Sequence, residues 1–330
     1  MPIAIPDPAD VEAAAARIAP WVVRTPLLES SELNDRLGGR IFLKPETLQR
    51  TGSFKFRGAL NTVLQIPRER RTRGVVAFSS GNHAQGVAAA ALLFGIPATI
   101  VMPKDAPPPK IAGTRRLGAE IVFYDRYEDD REAIAHEIVG RTGATLIEPF
   151  DNAMVVAGQG TIGLEIARDL EARGLSLDVL ATPCGGGGLV SGVALALRAA
   201  SPKTQVIAVE PERFDGMRAS LAAGERRKAA GGTPSIADAL MAPAPGNIPF
   251  AIAKAHLARA IAVNDHELRA AVSFAFQRLK LVVEPGGSAA LAAALAGKFA
   301  MQNKMAAIVL TGANCDAEII AQCCKAVPDP

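Results

Sequence analysis

The sequence contains few of the residues that stabilise small secreted proteins or structural metal sites. Its 330 residues include four cysteines, one tryptophan and two tyrosines. The cysteines, Cys184, Cys315, Cys323 and Cys324, form no CxxC pair and have no histidine neighbours at zinc-finger spacing. A disulfide framework needs cysteine at a much higher density. The composition therefore excludes both kinds of scaffold and predicts a protein of the reducing cytoplasm.

The chain also lacks an excess of charge of either sign and a long apolar run. It has 36 Lys and Arg against 33 Asp and Glu, a net charge of +3. This is too near neutral to favour nucleic acid or an anionic membrane as a partner. The longest apolar stretch, residues 87–102, contains Gly95 and Pro97 and is shorter than the roughly 20 residues of a membrane span. The N-terminus has no basic start followed by an apolar run, so we expect no signal peptide and no membrane partner.

Short apolar runs rich in β-formers alternate with helical segments rich in Ala and Leu. Most runs are unbroken, the pattern of strands buried on both faces of a parallel sheet covered by helices. The predicted strands are residues 40–44, 74–78, 98–102, 120–124, 145–147, 179–182, 205–210, 260–263 and 307–310. The predicted helices include 85–94, 110–117, 127–141 and 189–200. Because single cores stop growing near ~250–300 residues, the pattern predicts an α/β protein with two lobes.

A run of four glycines follows the predicted strand 179–182, where ligands of open α/β sheets bind. Residues 182–189 read TPCGGGGL and open a predicted helix. Amide groups without a Cβ, at a helix N-terminus, make a cradle for phosphate. The alternative is a tight turn, for which four glycines cost more backbone entropy than is needed. No GK[ST] follows, so we expect a phosphate monoester and not a nucleoside triphosphate.

Residues 158–163 read GQGTIG and match the dinucleotide fingerprint GxGxxG. That fingerprint requires a strand immediately before it. The preceding residues 152–157 are typical of a loop or short helix, and the match alone is weak. NAD binding is therefore a disfavoured alternative.

Three further polar turns follow apolar runs. Residues 79–83, SSGNH, offer hydroxyls, an amide and N–H groups at a helix start, which suits a substrate carboxylate. The alternative is an ordinary helix cap, which needs one such residue where this turn has several. Residues 311–314, TGAN, and 284–288, EPGGS, are ambiguous when taken alone.

Lys55 lies between Phe54 and Phe56 in the segment TGSFKFRG. Burial and nearby cations lower the pKa of a lysine and make its amine a nucleophile and a usable base. An isolated lysine in such a setting is more often a surface residue whose stem packs on apolar neighbours. Residue chemistry alone therefore leaves the role of Lys55 open.

The segments SFKFRG, SSGNHAQG, AGQGTIGLEI, PCGGGGLVSG, VEP, VVEPGGSAAL and TGAN occur in the order found in fold-type II pyridoxal-phosphate (PLP) enzymes. The sequence resembles their serine/threonine dehydratase and serine racemase branch from about Ile18 to Asp316. The resemblance implies two parallel-sheet α/β lobes, tryptophan synthase β-like, with the cofactor between them. It implies a large PLP-binding domain from residues 1–50 and 148–330, a small domain from 51–147, and a homodimer.

The resemblance also implies residue roles. Lys55 would hold the cofactor as a Schiff base and move the Cα proton, and Ser80 would be the base on the opposite face, as in racemases of this branch. The residues implied to bind the cofactor are Phe54, Lys55, Asn82, Gly185, Gly186, Gly187, Gly188, Leu189, Glu284 and Thr311. Those implied to receive the amino-acid substrate are Ser79, Ser80, Asn82, His83 and Arg131.

Relatives bind a divalent cation such as Mg2+ near the VEP segment, which implies Glu210 as a ligand. Some of them carry a second acid six residues later. Here Gly216 stands at that position and Asp215 one residue before it. Glu210 and Asp215 are thus the metal candidates, with a departure from the pattern of the family.

The implied reaction is β-elimination from L-threonine or L-serine, giving 2-oxobutanoate or pyruvate and ammonia. A hydroxyl such as that of Thr311 cannot protonate the pyridine nitrogen as an aspartate would, which favours elimination over reprotonation. The alternatives are dehydration of 3-hydroxyaspartate or phenylserine, serine racemisation, and PLP binding without activity. Since the chain ends near its last predicted helix, we expect no regulatory domain and no feedback inhibition by isoleucine.

Overall fold

The computed structural model describes residues 4–79, 81–126 and 128–328. Its strands are β1 (Leu28–Glu29), β2 (Arg40–Pro45), β3 (Val75–Phe78), β4 (Ala98–Pro103), β5 (Glu120–Tyr124), β6 (Thr145–Leu146), β7 (Val179–Pro183), β8 (Gln205–Pro211), β9 (Arg259–Val263) and β10 (Met305–Leu310). Its α-helices are α1 (Pro8–Ile18), α2 (Ser31–Leu37), α3 (Lys55–Leu64), α4 (Asn82–Leu92), α5 (Pro108–Arg116), α6 (Arg131–Thr142), α7 (Ala153–Glu171), α8 (Gly188–Ala200), α9 (Gly216–Ala223), α10 (Asn247–His256), α11 (Asp265–Gln277), α12 (Ala289–Leu295) and α13 (Ala317–Ala326). Within the described ranges, no helix is both long and apolar enough to cross a membrane.

The strands form two sheets, with orders β1-β2-β10-β7-β8-β9 and β5-β4-β3-β6. All pairings are parallel except that of β1 with β2. The predicted parallel α/β class is confirmed, and each of the nine predicted strands is present to within two residues. Strand β1 was not predicted, because it is two residues long and exposed. The apolar run 281–283 is not a strand, since its backbone is irregular and pairs with no sheet.

The two sheets come from different parts of the chain. The four-stranded sheet takes its strands from residues 75–146, and the six-stranded sheet from residues 28–45 and 179–310. The carboxyl ends of β3, β7 and β10 lead into SSGNH, the glycine run and TGAN, respectively. Because ligands bind beyond the carboxyl ends of parallel strands, this topology places the three turns where a site is expected.

The GxGxxG match lies inside helix α7 and follows no strand, so the dinucleotide interpretation is wrong. Its glycines allow helices to pack closely. A Cβ on Gly158 would lie 2.6 Å from Gly58 Cα of α3, and one on Gly160 would lie 2.6 Å from the Gly192 carbonyl oxygen of α8. Side chains at these positions would push the three helices apart.

A buried ionic network anchors the start of helix α3. Arg57 is fully buried, with Nε 2.7 Å from Glu46 Oε2 and Nη1 2.6 Å from Glu165 Oε1. Lys44 on β2 completes the set, with Nζ 2.6 Å from Glu165 Oε2. Two cations and two carboxylates therefore satisfy one another, as buried charges must. The network joins β2, α3 and α7, and holds the helix that begins with Lys55.

Candidate active site

A cavity of about 360 Å³ lies where turns from the two sheets meet. This size suits a small-molecule or cofactor site. Most of the residues predicted from the sequence line it, namely Phe54, Lys55, Ser79, Asn82, His83, Arg131, Gly185, Gly186, Gly187, Gly188, Leu189, Glu284 and Thr311. Ser80 lies outside the described residues. Segments that are far apart in sequence thus converge on one cavity.

Lys55 is the first residue of helix α3, and its amine faces the cavity. Nζ donates a hydrogen bond to the Pro149 carbonyl oxygen at 2.8 Å and lies 5.1 Å from the centroid of the Phe54 ring. No carboxylate among the described residues forms an ion pair with it. Burial without a compensating anion lowers the pKa of Lys55 to about 8. Near neutral pH the amine can therefore lose its proton and act as a nucleophile or base.

The glycine run forms the entry to helix α8, which begins at Gly188. Gly187 has φ +93°, a conformation that favours glycine. A Cβ on Gly186 would lie 2.3 Å from Cδ1 of Phe150, so packing also requires glycine there. The first amides of a helix have no acceptor within it and attract anions. The run therefore fits a phosphate group, although close packing accounts for part of its glycine content.

Asn82 and Glu284 meet inside the cavity, with Asn82 Nδ2 donating to Glu284 Oε1 at 2.5 Å. Burial raises the pKa of Glu284 to about 7. The second oxygen, Oε2, is buried and has no hydrogen-bond partner among the described residues. Thr311, which is 4% exposed, lines the same cavity at the end of β10. Unsatisfied buried polar atoms beside a lysine and an anion cradle fit a polar phosphorylated cofactor.

The SSGNH turn begins helix α4 at Asn82. The Ser79 hydroxyl accepts from the Gly81 N–H at 3.1 Å, and His83 Nε2 lies 2.8 Å from the Ile147 carbonyl oxygen. Burial, together with the charge of Lys55, lowers the pKa of His83 to about 3. His83 is therefore a neutral group near neutral pH. Its Nδ1 is buried and has no partner in the described part of the chain.

Several cavity residues were not predicted from the sequence. Lys110 on α5 forms an ion pair with Asp238 across the cavity, and Phe150 packs against the glycine run. No motif distinguishes these residues, because their proximity depends on how the two sheets are arranged. Arg131, which was predicted, begins α6, and its guanidinium lies 5.3 Å from the centroid of the Phe78 ring.

Glu210 and Asp215 lie outside this cavity. The two Glu210 oxygens accept the N–H groups of Met217 and Arg218, each at 2.8 Å, while Asp215 pairs with the Arg218 guanidinium. Burial raises the pKa of Glu210 to about 8. Among the described residues, no group of three or more His, Cys, Asp or Glu side chains is arranged to hold a metal ion. The carboxylates as arranged accept hydrogen bonds from N–H groups of the protein.

Comparison with known proteins agrees with this geometry. The family model described as pyridoxal-phosphate dependent enzyme matches residues 18–312. L-threonine ammonia-lyase of Thermotoga maritima is 44% identical over 311 residues, covering 94% of this chain and 76% of that protein. L-threo-3-hydroxyaspartate ammonia-lyase of Saccharomyces cerevisiae is 44% identical over 313 residues, covering 94% of each.

Among solved structures, maize serine racemase superposes with a TM-score of 0.91 at 36% sequence identity, covering 97% of each chain. The match extends over both sheets, so it concerns the whole architecture and not one lobe. A family model that matches most of the chain, and relatives that share more than two fifths of its residues, lead to one assignment. The chain belongs to the pyridoxal-phosphate dependent enzymes and has their type II fold.

Proposed function

We propose that this protein is a PLP-dependent ammonia-lyase that converts L-threonine to 2-oxobutanoate, and L-serine to pyruvate, with release of ammonia. The observation that carries the proposal is the convergence of Lys55, the glycine run and the SSGNH turn on one cavity. Relatives named L-threonine ammonia-lyase and catabolic L-threonine dehydratase support the choice of reaction. When bound, the cofactor supplies an electron sink that stabilises negative charge at the substrate Cα.

The cofactor contacts follow from the positions of the lining residues. We assign the phosphate to the amides of residues 185–189, the ring face to Phe54, and the ring oxygen to Asn82. Glu284 lies beside Asn82, and Thr311 would face the ring nitrogen. Since a threonine hydroxyl is neutral, it does not hold a proton on that nitrogen as a carboxylate would. Negative charge at Cα is then less stabilised, which favours departure of the β-hydroxyl over return of the proton.

We assign the substrate contacts to the SSGNH turn, whose described residues also line the cavity. Ser79, Asn82 and His83 would receive the carboxylate, with amide groups at the start of α4 as donors. The Lys55 amine, with its lowered pKa, takes the Cα proton. The β-hydroxyl leaves as water, and the unsaturated amine that remains is hydrolysed to the 2-oxo acid and ammonia.

A second substrate class is favoured by Arg131. This guanidinium lines the cavity and has no carboxylate partner among the described residues. It could therefore pair with the second carboxylate of 3-hydroxyaspartate, the substrate named for the yeast relative. Phenylserine would test the tolerance for bulk. Racemisation of serine would need a base on the opposite face, the role proposed for Ser80.

The test is release of 2-oxo acid by the purified holoenzyme from L- and D-serine, L-threonine, threo-3-hydroxyaspartate and phenylserine. We expect release from L-threonine and L-serine. We expect no release, and no absorbance band from a Schiff base between residue 55 and the cofactor, in Lys55→Ala. Lys104→Ala, which changes an exposed lysine, is the matched control and should behave as wild type. Turnover that persists in Lys55→Ala would refute the assignment.

Two arms of the same assay test the remaining site predictions. Ser80→Ala should lower the rates with D-substrates more than those with L-substrates, and an equal loss would remove Ser80 from the mechanism. The divalent cation at Glu210 and Asp215 stays a prediction supported by the resemblance alone. Comparing rates in Mg2+ with rates in a chelator tests it.

The assembly and location are also proposals. All four cysteines are free thiols, which supports a reducing compartment such as the cytoplasm. We place the small domain at residues 51–147, which contain all four strands of the smaller sheet, and the large domain at 1–50 and 148–330. The proposed homodimer rests on the resemblance, and light scattering on the purified protein tests it.

A further inference from the structure

A chain of side-chain hydrogen bonds lies behind Asn82. Asn314, three residues after Thr311, donates from Nδ2 to the Thr51 carbonyl oxygen at 2.7 Å and to Asn82 Oδ1 at 2.8 Å. Asn82 Nδ2 in turn donates to Glu284 Oε1 at 2.5 Å. These hydrogen bonds therefore join the turn before Lys55, the end of β10, the start of α4 and the loop before α12.

The direction of these hydrogen bonds follows from one group that cannot reverse. A backbone carbonyl is only an acceptor, so Thr51 requires the nitrogen of the Asn314 amide and not its oxygen. The second N–H of that nitrogen then faces Asn82 and requires the oxygen of the Asn82 amide. Asn82 must consequently present its nitrogen on the opposite side. A reversed Asn82 amide would place nitrogen against nitrogen at Asn314 and oxygen against the Glu284 carboxyl.

The backbone around these three hydrogen-bonded side chains leaves room for them. A Cβ on Gly52 would lie 2.8 Å from Asn314 Oδ1, and a Cβ on Gly312 would lie 2.4 Å from Glu284 Oε1. Thr51 itself has φ +63°, an uncommon conformation for a threonine. Two glycines and one strained residue thus surround the three side chains. Backbone segments from different parts of the chain therefore shape the space that these side chains occupy.

One N–H of the Asn82 side chain takes no part in these side-chain hydrogen bonds. Its nitrogen carries two, and a single acceptor, Glu284 Oε1, takes one of them. No partner for the other is present among the described residues, and Asn82 lines the cavity at 8% exposure. A ligand oxygen in the cavity is therefore offered a donor, and an oxygen bearing negative charge is the better acceptor for it.

We propose that Asn314 is a positioning residue that fixes the polarity of the Asn82 amide, so that Asn82 presents N–H and not oxygen to the ring oxygen of the cofactor. The inference rests on the cofactor role proposed for Asn82. An N–H at that position stabilises the ionised form of the ring oxygen. Without Asn314 the Asn82 amide can reverse, and the ionised form loses its donor.

The test is the pH titration of the visible absorbance of the holoenzyme, together with the dissociation constant of PLP. Asn314→Asp keeps the shape of the side chain but removes the nitrogen that Thr51 and Asn82 require. We expect PLP binding about tenfold weaker, the loss of roughly one hydrogen bond, and an absorbance midpoint shifted to higher pH. Asn303→Asp makes the same chemical change at an exposed position and should leave both quantities unchanged. A titration and a dissociation constant equal to those of wild type in Asn314→Asp would overturn the proposal.

A double-mutant cycle separates positioning from a merely structural role. If Asn314 acts through Asn82, adding Asn314→Asp to Asn82→Ala should change PLP binding and the titration less than twofold further. Full additivity would overturn the proposal. Asn314→Ala, which introduces no charge, repeats the cycle if the aspartate variant does not fold. A wild-type enzyme that binds PLP but releases no 2-oxo acid refutes the proposed reaction alone, since none of these measurements needs a substrate.

Discussion

Lys110 and Asp238 form an ion pair across the cavity, with Nζ 2.5 Å from Oδ2. Lys110 belongs to α5, in the part of the chain that forms the four-stranded sheet, whereas Asp238 lies between α9 and α10, in the part that forms the other sheet. Lys110 is 5% exposed and lies against the SSGNH turn, where a Cβ on Gly81 would come within 3.2 Å of Nζ. The pair therefore closes one side of the cavity next to the turn proposed for the substrate carboxylate.

Asp238→Asn should weaken substrate capture. The substitution breaks the ion pair that closes this side of the cavity, and a partly exposed pair contributes about 1 kcal/mol, so we expect kcat/KM to fall about fivefold. Steady-state kinetics with L-threonine measure this. Glu12→Gln, which removes an exposed ion pair with Arg168 on the outside of the protein, is the control and should leave kcat/KM unchanged. An equal effect of the two substitutions would mean that the cross-cavity pair has no special role.

Cofactor uptake should report the lowered pKa of Lys55. Because the free amine is the reactive form, the rate at which cofactor-free protein takes up PLP should rise about tenfold per pH unit and level off above a pH of about 8. Visible absorbance after rapid mixing measures the rate. Nα-acetyl-lysine amide, whose α-amine is blocked, provides the reference in the same buffers, with a plateau near the usual side-chain pKa of 10.5. A protein rate that keeps rising to that value would show an unperturbed amine.

Gly186→Ala should weaken cofactor binding. The new methyl group would lie 2.3 Å from the Phe150 ring, which must move or displace the cradle. We expect the dissociation constant of PLP to rise about tenfold or more, a cost of at least ~1.4 kcal/mol. Gly140→Ala is the matched control, because its Cβ meets nothing within 4 Å and it lies within helix α6. That substitution should stabilise the protein by about 0.5–1 kcal/mol and leave PLP binding unchanged.

His83 should make the protein sensitive to acid. Burial lowers its pKa to about 3, whereas the unfolded chain takes up a proton near the ordinary value of 6.5. Between these values the unfolded state binds more protons, so the free energy of unfolding falls as pH falls. From pH 7 to 5, wild type should lose up to about 2 kcal/mol more than His83→Gln. Urea unfolding at both pH values measures this, with the exposed His136→Gln as control. Equal losses in wild type and His83→Gln would contradict the neutral buried state.

Local patterns were sufficient for the class of fold and for much of the candidate site. Apolar runs, most of them unbroken, predicted nine of the strands, since a strand buried on both faces must be apolar along its length. The turns that carry Asn82, the glycine run and Thr311 were predicted because each follows such a strand. The residue chemistry of Lys55 was ambiguous, and its role was implied only by the resemblance that the order of the motifs carries.

The arrangement of the chain in space decided the rest. The contact between Asn82 and Glu284 joins residues that are 202 positions apart in the sequence, and Lys110 and Asp238 are 128 positions apart. The periodic patterns that predict strands and helices do not show which residues so far apart in the sequence come into contact. The GxGxxG match is a further example of what the sequence leaves open. The motif alone does not show whether its glycines approach a phosphate or a neighbouring helix. Composition and periodicity reflect whether each residue is buried, so they can be read directly from the sequence. Partners depend on which strand ends and helices lie side by side, which only packing in three dimensions establishes.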